Sequence, residues 1–81
     1  QNYPNPFNPV TTIRFEIPYS QNVELAIYDM LGREVKRLYD GEAPAGVLTI
    51  DFNAQGLASG VYVYRLKTEN FIDSKKLILL K

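Results

Sequence analysis

The chain lacks cysteine, histidine and tryptophan altogether. Without cysteine it can form neither a disulfide nor a thiolate metal site. Without histidine it lacks the usual general base, the commonest metal ligand and the side chain that titrates near neutral pH. These absences argue against an enzyme, and we expect no catalytic residue, no metal site and no cofactor.

Net charge and long apolar runs are missing as well. Nine basic and nine acidic residues cancel, so the sequence gives no support for a nucleic-acid partner or an anionic membrane. No apolar run approaches the roughly 20 residues that a membrane span needs. The chain begins with Gln and lacks the charged and apolar regions of a signal peptide, so we expect it to be a piece of a longer protein.

The strongest strand signal lies in residues 60–68, which read Gly-Val-Tyr-Val-Tyr-Arg-Leu-Lys-Thr. Aromatic and β-branched side chains suit a half-buried pleated surface, and alternate residues of a strand face opposite sides. Tyr62, Tyr64 and Leu66 share one face, whereas the other face carries an arginine and a lysine. We therefore predict a central strand of an antiparallel sheet, with the two tyrosines and Leu66 facing the core.

Other segments also alternate between apolar and polar residues, as strands do. They are residues 11–17, 23–29, 34–40 and 47–52, and a further strand closes the chain. The alternation slips where Val35 and Leu38 stand three apart, and we expect a β-bulge near Lys36 and Arg37. Short strands at spacings of about ten residues, with no helical period, predict an all-β fold, a sandwich of six to seven antiparallel strands.

The chain divides into a Pro/Asn-rich lead-in at residues 1–10 and the β-sandwich at residues 11–81. The prolines exclude a helix in the lead-in and favour an extended path, and we expect Tyr3 and Phe7 to contact the end of the sandwich. The inward residues are predicted to form one core: Ile13, Phe15, Ile17, Val23, Leu25, Ile27, Val35, Leu38, Leu48, Ile50, Phe52, Leu57, Tyr62, Tyr64 and Leu66.

Three connections between the strands have sequence signals. Residues 19–22 are predicted to turn after Pro18, and residues 41–46 to form a loop with glycine at both ends. In the loop at residues 29–33, Asp29 can bond its own backbone and Gly32 can take a left-handed conformation.

The closing segment Lys75-Lys76-Leu77-Ile78-Leu79-Leu80-Lys81 contains four consecutive apolar residues and so does not alternate. Either both faces of this strand are partly covered, or one face is exposed for a partner. Lysines flank this apolar run on both sides. They could keep an aggregation-prone strand soluble, or they could form a recognition element. The pattern leaves both choices open.

Two other binding functions have weak support. Asp40 or Glu42 could ligate calcium from a loop, but no ligand spacing supports such a site. Six tyrosines could stack on sugars, but tryptophan, the best platform, is missing. Tyr62 and Tyr64 are in addition predicted to lie inside.

Three stretches cover nearly the whole chain and together follow a family pattern: residues 2–18, residues 23–35, and residues 57–66 with 75–81. They contain the opening Asn-Tyr-Pro-Asn-Pro-Phe-Asn-Pro, the hairpin Asp-Met-Leu-Gly-Arg and the lysine-bracketed end. In these stretches the chain resembles the C-terminal sorting domain of proteins exported by the type IX secretion system. The middle stretch is also similar to the immunoglobulin-like domain of flagellar hook-capping proteins.

This resemblance implies an immunoglobulin-like sandwich that directs an N-terminal cargo domain of the same chain across the outer membrane. The partners would be the outer-membrane translocon and its shuttle protein, and the cargo would pass through the periplasm to be secreted or held at the cell surface. The candidate residues for translocon recognition are Gly60, Tyr62, Lys75, Lys76, Leu77, Leu79 and Lys81.

The alternative function is a structural spacer or carbohydrate-binding β-sandwich module of an extracellular enzyme. Position in the full-length protein separates the two functions. An export signal must end that protein, with Lys81 as its last encoded residue, whereas a spacer need not.

Overall fold

The computed structural model describes residues 10–80, which form six strands in two sheets. The strands are β1 Val10–Ile17, β2 Gln21–Tyr28, β3 Glu34–Ala43, β4 Gly46–Asn53, β5 Gly60–Thr68 and β6 Ile72–Leu79. One sheet pairs β1 with β4, the other has the order β3-β2-β5-β6, and every pairing is antiparallel. The predicted all-β sandwich is confirmed. The predictions for Tyr3, Phe7 and Lys81 lie outside the described residues.

Residues 10–80 contain no helix that is long and apolar enough to cross a bilayer.

Side chains from both sheets meet in one core between them. The two-stranded sheet contributes Ile13, Ile17 and Phe52, and the four-stranded sheet contributes Val23, Leu25, Ile27, Tyr62, Leu66 and Leu79. The remaining predicted core residues are partly buried and pack against this cluster: Phe15, Val35, Leu38, Leu48, Ile50, Leu57 and Tyr64. The predicted core is therefore confirmed. Removal of these apolar surfaces from water is the main force that holds the two sheets together.

The predicted central strand has the bounds that the sequence indicated. β5 runs from Gly60 to Thr68 and lies between β2 and β6. Its inward residues face those of β2, since Leu66 is opposite Leu25 and Tyr64 is opposite Ile27. Each pair places two side chains against the core on the same face, which fixes the register of the two strands.

β3 contains two β-bulges, one on each side of the pair Lys36 and Arg37. Its register with β2 shifts twice, and Leu38 and Val35 are the residues left without a partner. Both side chains pack against the core. Two extra residues allow apolar side chains three apart to reach the same interior. The bulge predicted near Lys36 and Arg37 is thus confirmed.

The loop that joins β2 to β3 is closed by Asp29. The Oδ1 atom of Asp29 accepts hydrogen bonds from the backbone N–H groups of Leu31 and Arg33 at 2.9 and 3.0 Å, and Arg33 Nε lies 2.8 Å from its Oδ2. Gly32 has a φ of 83°, in the left-handed region. Both predictions for this loop are confirmed.

Several strand boundaries differ by one residue from those that the sequence indicates, and the start of β2 and the end of β3 differ by more. Gln21, assigned to a turn, begins β2 and is buried. β3 extends to Ala43 instead of ending at Asp40, because its ladder with β2 continues until Ala43 is opposite Gln21. The loop predicted at residues 41–46 therefore shrinks to Pro44 and Ala45.

Candidate functional site

The candidate recognition residues that the structure describes all lie in the hairpin of β5 and β6. Gly60 is opposite Leu79 and Tyr62 is opposite Leu77, so distant parts of the sequence become neighbours. Lys75 and Lys76 lie further along β6, opposite Tyr64 and Val63. Lys81 lies outside the described residues.

Burial divides the candidate residues into two groups. Tyr62 and Leu79 are only 8% and 7% exposed, and Leu77 packs against the core. Gly60 and the two lysines are exposed. In the folded domain, therefore, only the exposed group can contact a partner, whereas the apolar group holds the hairpin in place.

The two faces of β6 differ in their burial. Leu77 and Leu79 face the core, whereas Ile78 is 58% exposed and the following Leu80 is 74% exposed. Strand alternation explains the difference, because successive side chains point to opposite faces. Of the two alternatives that the sequence left open, the structure supports the one with an exposed apolar face.

β6 lies at the edge of the four-stranded sheet and pairs only with β5 among the described strands. The turn before it is ordered by Thr68, whose Oγ1 accepts hydrogen bonds from the N–H groups of Asn70 and Phe71, both at 3.2 Å. Its register with β5 is unbroken over eight residue pairs. A regular edge strand presents unpaired backbone groups to which a partner strand can add.

The β5–β6 hairpin contains four cations, more than its two carboxylates, Glu69 and Asp73. Among residues 10–80, four of its cations have no carboxylate within salt-bridge distance: Arg65, Lys67, Lys75 and Lys76. Arg65 instead lies 4.6 Å from the ring centroid of Tyr28 and donates a 2.6 Å hydrogen bond to its hydroxyl. The cation is thereby held over an aromatic face.

The β2–β3 half of the same sheet is acidic. Arg37 forms ion pairs with Glu24 at 3.1 Å, Glu34 at 2.7 Å and Asp40 at 3.6 Å. Hydrogen bonds to Glu34 and Glu24 raise the pKa of Arg37 above its usual value. Three carboxylates around one guanidinium leave excess negative charge, so the outer face of the sheet is divided by sign.

The described residues offer no metal-binding arrangement. No group of three His, Cys, Asp or Glu residues in 10–80 could hold an ion. The weak calcium candidates have other contacts, since Asp40 pairs with Arg37 and Glu42 accepts a 3.4 Å hydrogen bond from Ser20.

Comparison with known protein families gives one match that spans both the opening segment and the hairpin. A family model described as a secretion system C-terminal sorting domain matches residues 1–80. Searches among curated proteins and solved structures found no match.

Proposed function

Because the chain belongs to the family of secretion system C-terminal sorting domains, we propose that it is a non-catalytic signal that carries an N-terminal cargo domain through the type IX secretion system. Membership in this family implies secretion or a place on the cell surface. The proposal adds the partners and the route: the cargo reaches the periplasm, and the outer-membrane translocon with its shuttle protein recognises the folded domain. The family match over residues 1–80 carries the proposal.

The hairpin of β5 and β6 is the proposed recognition element. Its support comes from its edge position, its exposed apolar face and its uncompensated cations. Gly60, Lys75 and Lys76 are proposed to contact the translocon directly. Tyr62, Leu77 and Leu79 are proposed to act through the fold, since they pack in the core, and Lys81 is proposed to complete the lysine bracket.

The test attaches the chain to the C-terminus of a periplasmic reporter protein in a bacterium that has a type IX system. We expect the reporter to leave the cell, and to stay in the periplasm when the chain is omitted or the host lacks the translocon. Retention of a correctly folded fusion in the translocon-containing host would contradict the proposal and favour a spacer or carbohydrate-binding module.

The choice of variants follows from burial. Removing residues 79–81 would delete Leu79 from the core and so confuse misfolding with lost recognition. The double change Lys75→Ala and Lys76→Ala alters exposed side chains only, and we expect it to reduce export. The matched control is Arg14→Ala, which removes an exposed cation from β1.

A further inference from the structure

Apolar side chains form an exposed patch on the outer face of the four-stranded sheet, beside the start of β5. The outer patch consists of Met30, Val61, Val63, Ile78 and Leu80. Val61 is directly opposite Ile78, and Met30 and Val63 line the same cleft. Met30 is 67% exposed, and Ile78 and Leu80 are also more than half exposed, whereas Val61 and Val63 are half-buried. The patch therefore extends from the loop between β2 and β3 across β5 to β6.

The fold does not require apolar residues at these positions. The outward positions of β1 are Thr12, Arg14 and Glu16, all exposed and polar. β1 nevertheless packs its inward residues as well as β6 does. Contiguous apolar surface rimmed by polar residues is typical of protein–protein contact sites.

The rim of the outer patch is positively charged. Lys76 lies opposite Val63, and Arg65 follows two residues later on the same face. Neither has a carboxylate partner in the part of the chain that the structure describes. Asp29 is the nearby acid in the cleft, and its charge is compensated by Arg33 at 2.8 Å.

We propose that the outer patch docks a protein of the secretion machinery whose contact surface is apolar at its centre and carries carboxylates at its rim. The inference rests on the proposed function and specifies which face of the hairpin the partner covers. Complementary charge steers such an encounter and fixes its register, while burial of the apolar centre supplies affinity.

Two other occupants fit the charges less well. A second copy of this chain would bring one cationic rim against another, and like charges across an interface are unfavourable. An anionic bilayer would approach the whole outer face, including Glu24, Glu34 and Asp40, and those carboxylates would be repelled. A protein can match the limited cationic area alone.

The central test introduces a charge into the patch of the reporter fusion. Ile78→Glu is expected to lower export about ten-fold or more, as for a central apolar contact, without changing the thermal midpoint of the domain. Val47→Glu is the matched control, because Val47 is an exposed valine of β4, and it should be exported normally. If Ile78→Glu lowers the thermal midpoint, Ile78→Thr, which suits a strand, replaces it with the same expectation of reduced export.

A charge reversal examines the rim separately. Lys76→Glu should reduce export, Lys76→Arg should retain it, and Arg14→Glu on β1 should have no effect. If the wild type, Ile78→Glu and Lys76→Glu fusions are each exported normally, the proposed docking surface is wrong, while the proposed function stands. Failure of the wild-type fusion itself to be exported would overturn both.

Two measurements on the purified chain exclude the other occupants. Sedimentation should show a monomer, and vesicles containing phosphatidylglycerol should not bind it. A dimer that Ile78→Glu dissociates would overturn the proposal in favour of self-association. Vesicle binding that Ile78→Glu abolishes would overturn it in favour of a lipid surface.

Discussion

The hydroxyl of Tyr62 donates a 2.7 Å hydrogen bond to the carbonyl oxygen of Ala58, four residues earlier in the chain. The aromatic ring belongs to the core, while the bond ties the preceding loop to the start of β5. Tyrosine corners of immunoglobulin-type sandwiches have a similar arrangement, in which a tyrosine near the start of a strand bonds back to the upstream backbone. Tyr62 therefore joins a loop of the sandwich to its interior.

Substitution of Tyr62 separates its two contributions to stability. Tyr62→Phe removes the hydrogen bond and should lower the free energy of unfolding by about 1 kcal/mol. Tyr62→Ala also removes the buried ring and should cost about 3–5 kcal/mol. Urea denaturation followed by circular dichroism measures both. An unchanged midpoint for Tyr62→Ala would contradict the burial of this ring.

Truncation of two neighbouring residues of β6 should change the free energy of unfolding by very different amounts. Leu79 is in the core, so Leu79→Ala should lower the free energy of unfolding by about 2–5 kcal/mol. Ile78 faces outward, and Ile78→Ala should change it by no more than about 0.5 kcal/mol. Thermal unfolding of the two variants provides the comparison. Equal losses would show that both faces of β6 are covered.

Gly32 has a positive φ that other residues adopt at a cost. An added Cβ would meet nothing within 4 Å, so strain in the backbone is the only penalty. We expect Gly32→Ala to lower the free energy of unfolding by about 1 kcal/mol. Gly32→Asn should cost less, because asparagine tolerates this conformation. Equal stabilities of wild type and Gly32→Ala would show that the loop takes another conformation.

The Asp29 loop should make stability depend on pH in the acid range. The backbone N–H of Arg33 lowers the pKa of Asp29 below its usual 3.8, and the Arg33 side chain and the Leu31 N–H act in the same direction. A carboxyl group whose pKa is lower in the folded state stabilises the fold at pH values above its unfolded-state pKa. This stabilisation is lost as the pH falls through the folded-state pKa. The thermal midpoints of wild type and Asp29→Ala should therefore converge below about pH 4.

The control for this titration is Asp29→Asn, which keeps an acceptor oxygen but cannot titrate. Its difference from Asp29→Ala should not change with pH. A difference between wild type and Asp29→Ala that stays constant down to about pH 2 would contradict the lowered pKa.

Local patterns explain which parts of the fold the sequence could predict. The bounds of β5 follow from its composition, and the bulges follow from the unusual spacing of Val35 and Leu38. The loop follows from Asp29 and Gly32, which act on their own backbone. Each of these signals depends on residues a few positions apart, so no tertiary information was needed.

The remaining features depend on how the strands pair with one another. Four consecutive apolar residues fit either face of β6, and only its pairing with β5 decides which face is inward. Burial of Gln21 depends on its position opposite Ala43. The outer patch joins Met30 of the loop between β2 and β3 to Val63 of β5, and its only signal in the sequence is the pair of valines on the β5 face that also carries the cations.

The positions of the first and last strands determine how the domain responds to mechanical load. Val10 is opposite Asn53 and Leu79 is opposite Gly60, while residues 54–59 join Asn53 to Gly60, so the first residue of β1 and the last residue of β6 lie at the same end of the sandwich. A pulling force applied at these two residues would load the β1–β4 ladder and the β5–β6 ladder from one end. We therefore expect the ladder bonds to break one pair at a time instead of shearing together, so that unfolding requires a low force.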